Sequence, residues 1–119
     1  MCGFCGFTGD LDDKETCLTN MMNKIIHRGP DSAGQHIDKK VAMGFRRLSI
    51  IDLDFGSQPM YNEDQTIVIT FNGEIYNYQE LRQELFKAGH RFSTQGDSEV
   101  LLHGYEEWGE RLPDHLRGM

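Results

Sequence analysis

Cys2 and Cys5 stand three apart in the opening stretch MCGFCGFTGD, and three chemistries compete for them. The first is a redox or metal-binding C-x-x-C. Redox pairs of that spacing follow a strand and open a helix whose N-terminus lowers the thiol pKa. Here the pair precedes everything else, and the following GFTGD reads as strand and turn. Side chains three apart on a strand point to opposite faces, so the two thiols diverge. A zinc site would have to recruit Cys17 and His27. On one predicted helix their ten-residue separation spans about 15 Å, against ligand distances of roughly 2 Å from a single point. The second reading makes Cys2 a nucleophile whose base is its own α-amine, exposed once Met1 is removed. An α-amine titrates at about 7.7–8.0 and a free thiol at about 8.5, so the amine can take the thiol proton near neutral pH and return it to a leaving group. With Met1 retained, that nitrogen is an amide and cannot serve. The third reading makes both cysteines small apolar side chains of a first strand.

A nucleophile needs an oxyanion site and a substrate site. Asn72-Gly73 closes an apolar stretch and offers a side-chain amide and a backbone N–H to a developing oxyanion. The same dipeptide is also a common hairpin turn. In strict alternation Val41, Met43, Phe45 and Arg47 share one strand face, which sets a guanidinium on an apolar surface. Its planar fork suits a carboxylate, either a substrate's or that of Asp52 or Asp54. Asp97 opens a helix as a cap, or binds an ammonium group. Arg47 and Asp97 together would suit a ligand with both a carboxylate and an ammonium, which describes an α-amino acid.

The elements that position these residues follow from periodicity. CGFCGFT, VAMGFRRLSIIDL and TIVITF read as strands, the last apolar at nearly every position and so expected to be buried on both faces. Asp12 with Glu15 resembles a capping box, and Leu18, Met21, Met22 and Ile25 mark one helical face running to a Gly29-Pro30 stop. Asn77 with Glu80 caps a helix bearing Leu81 and Leu85. A last helix starts near Ser98 with Leu101, Gly104, Tyr105 and Trp108 on one side. Strands and helices mix, and no linker or repeat marks a boundary. The chain of 119 residues is one domain at most. Its net charge of −7 argues against nucleic acid or an anionic membrane as partner, since both require clustered Lys and Arg. Without a membrane-length apolar run or a signal-peptide pattern, and with three cysteines, a reduced, cytoplasmic protein is expected.

MCGF, HRGPDSAG at 27–34, RLSIIDL at 47–53, NGEIYN at 72–77 and GDSEV at 96–100 occur in one order across the chain. In this it resembles the class II glutamine amidotransferases, and specifically the glutaminase part of the glutamine-hydrolysing asparagine synthetases. The resemblance implies an α+β N-terminal-nucleophile fold, a four-layer sandwich of two antiparallel sheets between helices. It implies hydrolysis of the L-glutamine side-chain amide to glutamate and ammonia through a thioester on Cys2. Asn72 and Gly73 then form the oxyanion hole, and Arg47 holds the substrate carboxylate. Asp97 and Glu74 surround its ammonium, and backbone groups of Leu48, Ser49, Ile50 and Ile51 line the pocket. Cys5 becomes strand packing, and neither His27 nor any metal takes part.

The same resemblance makes residues 1–119 the N-terminal part of the fold, because in relatives the counterpart of LRGM runs on into a further strand. ATP and Mg are expected only for a synthetase domain, whose Ser-Gly-Gly-x-Asp-Ser type loop this sequence lacks. Expected partners are L-glutamine and the synthetase domain or a second copy. The competing expectation is an inactive piece that binds glutamine weakly or folds only against a partner or second copy, since apolar strand edges invite association.

Overall fold

A computed structural model of the chain describes residues 2–49 and 57–119. They form two compact units, a division for which the sequence carries no linker signal. One comprises residues 2–49 with Ser57–Pro59 and Thr70–Asn72, the other Met60–Ile69 with Gly73–Met119. The class is α+β, and each unit holds one antiparallel sheet.

In the first unit strands β1 (Gly3–Thr8), β2 (Ser32–Ile37) and β3 (Val41–Arg47) pair in the order β1-β3-β2. Sheet alternation puts Cys5 opposite Gly44 and Phe7 opposite Ala42. Helix α1 (Lys14–Lys24) covers that face with Leu18 and Met22, the core against which Cys5 and Phe7 pack. The other parity of β3 carries Val41, Met43, Phe45 and Arg47, as alternation predicts. The strand stops at Arg47, so Leu48 and Ser49 lie in a loop instead of continuing it.

Two expectations shift here. The cap of α1 is Asp13, whose side chain accepts the Thr16 N–H at 3.0 Å, one residue later than the anticipated box. The α-helix closes at Lys24, and a single 3-10 turn, Ile26–Arg28, carries the chain to Gly29. β2 was not expected at all, because SAGQHI has neither alternation nor an apolar run. What makes it a strand is the turn at its end. Asp38 accepts the N–H groups of Lys40 at 2.7 Å and Val41 at 2.9 Å, which folds β2 back onto β3.

The second unit pairs β4 (Met60–Tyr61) with β5 (Val68–Ile69). The TIVITF strand expected to be buried on both faces is thus only two residues long. Val68 and Ile69 are half-buried, since among the described residues β5 has β4 as its one paired neighbour. Helix α2 (Tyr78–Lys87) buries Leu81 and Leu85 as anticipated. Asn77 does not cap it through its side chain. It donates instead to the His115 carbonyl at 2.9 Å and accepts the Arg117 N–H at 2.9 Å. Helix α3 (Ser98–Trp108) buries Glu99 through Gly104 continuously, more than the single expected face, and leaves Tyr105 exposed. Helix α4 (Leu112–His115) follows, with His115 stacked on Trp108 at 3.9 Å. No helix among the described residues is long and apolar enough to cross a membrane.

Candidate active site

The described site residues fall into the two units and are taken unit by unit. In the first, Cys2 directly precedes β1 and is half-buried. The Leu48 N–H points at its Sγ at 3.4 Å, and Sγ lies 3.9 Å from the Leu48 carbonyl. The loop leaving β3 therefore grips the thiol through its backbone, just after Arg47. Arg47 ends β3 opposite Ser32 and is engaged in its own contacts.

Asp31, the last residue of RGPD, holds this loop in place. Its N–H donates to the Arg47 carbonyl at 3.0 Å, and its Oδ2 accepts the Ser49 N–H at 2.6 Å. Leu48 is thus braced on both sides, and Arg28 adds a 3.4 Å bond from Nη2 to the Cys2 carbonyl. This gives RGPD a concrete task. Gly29 lies so close to the Arg46–Arg47 backbone that a Cβ would fall 2.5 Å from the Arg47 nitrogen and against the Arg46 carbonyl. Ile50 and Ile51, also expected to line the pocket, lie outside the described residues.

Phe71, next to Asn72, is held within the same unit by a residue that sequence reasoning missed. Gln58 donates to the Phe71 carbonyl at 3.1 Å and accepts the Phe71 N–H at 2.6 Å, so its amide acts as a one-residue strand neighbour beside Asn72. Gly34 of β2 admits this arrangement, because a Cβ there would strike the Gln58 carbonyl. Neither contact leaves a short-range signal, since each joins residues distant in sequence.

The second unit bonds Asp97 to Ile75, the residue after Glu74. Asp97 makes no side-chain cap to α3, although it occupies the N-cap position. Its Oδ2 instead accepts the Ile75 N–H at 2.8 Å. On its other side Glu74 exchanges two 2.9 Å backbone bonds with Met119, and Tyr76 donates to the Arg117 carbonyl at 2.7 Å. Residues 74–76 are therefore fixed from both edges.

The cysteines now separate. All three are free. Burial pushes the Cys5 thiol up, away from the reactive thiolate, and its side chain packs into the α1 core. Cys2 alone of the pair has a backbone donor on its sulfur.

The chain matches the family described as the glutamine amidotransferase domain over residues 1–119. It is 49% identical over 124 residues to asparagine synthetase [glutamine-hydrolyzing] 1 of Bacillus subtilis, covering all of this chain and 20% of that protein. The corresponding enzyme of Zea mays is 43% identical over 122 residues, again with 100% and 20% covered. Asparagine synthetase [glutamine-hydrolyzing] 2 of Bacillus subtilis is 46% identical over 124 residues, 16% of its length. The chain spans about a fifth of the length of the first two relatives. With the family match running from its first residue to its last, the chain belongs to the glutamine amidotransferase domain family.

Proposed function

We propose that the chain hydrolyses the side-chain amide of L-glutamine, with Cys2 as nucleophile and its own α-amine, freed of Met1, as base. The thiol gives its proton to the amine, and sulfur bonds to the amide carbon. The resulting oxyanion is met by the Asn72 side-chain amide and the Gly73 N–H. The amine then protonates the departing nitrogen, which leaves as ammonia, and a glutamyl thioester remains. Water, deprotonated by the same amine, cleaves the carbon–sulfur bond to give glutamate and the free thiol. Arg47 holds the substrate carboxylate, and Asp97 and Glu74 its ammonium. Backbone of Leu48 to Ile51 walls the site. The ammonia would feed asparagine synthesis in a synthetase domain that carries ATP and Mg.

The observation that carries this reading is the Leu48 N–H on the Cys2 sulfur at 3.4 Å, in a loop braced by Asp31. A second reading, binding of glutamine without turnover until a partner or second copy is present, draws on apolar exposure: Phe4 is 55% exposed. Intact mass before and after a diazo-ketone glutamine analogue, with glutaminase assays of wild type and Cys2→Ala, separates the two. Loss of one methionine, a single adduct on Cys2 and a Cys2-dependent rate support hydrolysis. A processed chain that binds glutamine but forms no adduct supports the second reading. A rate that survives in Cys2→Ala overturns the mechanism.

A further inference from the structure

Outside this site, the second unit sets two imidazoles, one buried and one half-buried, among carboxylates. His103 of α3 is 1% exposed, and its Nδ1 lies 3.0 Å from Glu106 Oε2. His90, just after α2, brings its own Nδ1 to the same oxygen at 3.1 Å. The donor atoms of His90, His103 and Glu106 all lie within 4.8 Å of one another. We infer that these three side chains form a binding site for a divalent transition metal of the zinc type.

The far sides of the two rings decide between a metal and protons. His90 Nε2 faces Glu107 Oε2 at 2.9 Å. His103 Nε2 faces Glu99 Oε1 at 3.4 Å and Glu63 Oε1 at 3.8 Å, yet it is buried without a hydrogen bond. If each neutral ring spends its one proton on Glu106, each Nε2 presents a lone pair to a carboxylate, which is repulsive. Placing the protons on Nε2 satisfies Glu107 and turns His103 toward Glu99. Two Nδ1 lone pairs and the Glu106 Oε2 lone pair then converge, and a cation bound between them satisfies all three. Ligating histidines commonly donate their second ring N–H to a carboxylate in this way.

The remaining geometry agrees. Asn62 donates to Glu106 Oε1 at 2.7 Å and so fixes which oxygen faces the rings. Ligands about 2.0–2.1 Å from a tetrahedral ion stand roughly 3.3–3.4 Å apart, so the two observed edges need only small adjustment. Two imidazoles and one carboxylate suit Zn²⁺, Co²⁺ or Ni²⁺ over Mg²⁺ or Ca²⁺. Bound there, the ion would tie the segment after α2 to α3.

The test is calorimetric titration of the folded chain with Zn²⁺, alongside His90→Gln, Glu107→Gln and Cys2→Ala. His90 is chosen because it is only half-buried, whereas replacing His103 would open the core. One ion per chain is expected, with binding unchanged in Cys2→Ala. Glu107→Gln, which removes an outer partner, should weaken it about 10–100-fold, and loss of the ligand His90 by more. Long-range proton–nitrogen NMR spectra should show both rings as Nε2–H tautomers when zinc is bound. Absence of binding to wild type, binding that survives in His90→Gln, or binding that disappears in Cys2→Ala would each overturn the assignment.

Discussion

Gly29→Ala tests how the HRGPD segment supports Cys2, the proposed nucleophile. The backbone of Gly29 has φ −152° and ψ 84°, which alanine adopts without strain, so any effect must come from collision. The new Cβ would lie 2.5 Å from the Arg47 nitrogen, whereas ordinary contacts start near 3.4 Å, a shortfall of 3.4 − 2.5 = 0.9 Å. The obstructing atoms are backbone, so no side chain can swing aside. The Arg46–Arg47 backbone must move, and Leu48, whose N–H sits 3.4 Å from the Cys2 sulfur, moves with it. A displacement of about 1 Å at a reacting group costs about 100-fold in rate. We expect kcat/KM for glutamine to fall about 100-fold, roughly 2.7 kcal/mol of transition-state stabilisation. Overpacking should also lower stability by about 1–3 kcal/mol. Glutamate release is measured at a temperature where circular dichroism shows the variant folded, together with the alkylation rate of Cys2 by the glutamine analogue. Gly9→Ala is the control. Its φ of +117° strains alanine, but no atom lies within 4 Å of the new Cβ, so stability should drop without loss of rate in the folded fraction. A folded Gly29→Ala with wild-type kcat/KM and wild-type alkylation would refute the link from Gly29 through the loop to Cys2.

Two further outcomes are expected. Leu18→Ala, which empties a fully buried position of the α1 core, should cost about 2–5 kcal/mol in denaturant unfolding while leaving the second unit's circular dichroism signature intact. Asp38 has its carboxyl lowered to about 2, chiefly by the N–H groups of Val41 and Lys40, so its contribution to stability is present above pH 4 and fades as pH falls toward 2. The denaturation midpoints of wild type and Asp38→Asn should accordingly differ at pH 6 and converge near pH 2; a gap that widens on acidification would refute the assignment.

The sequence disclosed its elements where local chemistry dictates them. α1 and α2 follow from apolar spacing, and the face shared by Val41, Met43, Phe45 and Arg47 follows from alternation. β2 escaped because its pairing is decided by the Asp38 turn beside it and not by its own side chains. TIVITF misled because an apolar run reports what a segment would bury, not how many neighbours it has. In the site, residue types pointed to Cys2, and Asp97 was placed correctly at the start of α3 but with the wrong bond. Its carboxylate reaches Ile75, 22 positions away, instead of its own helix. Gln58 was invisible for the same reason, since it holds a segment that is local only in space.

The sheet order of the first unit has a kinetic consequence. β2 and β3 join across a tight turn, Ile37 opposite Ala42, whereas β1 reaches β3 only by closing a long loop, Gly3 opposite Arg46. Short closures precede long ones, so the hairpin can form first and β1 docks afterwards. Among the described residues β1 is also an edge strand of its sheet. Cys2, immediately ahead of it, is therefore ordered late in folding and is among the first residues released by fraying. Detaching that one strand separates the Cys2 thiol from the Leu48 loop while the β2–β3 hairpin stays paired.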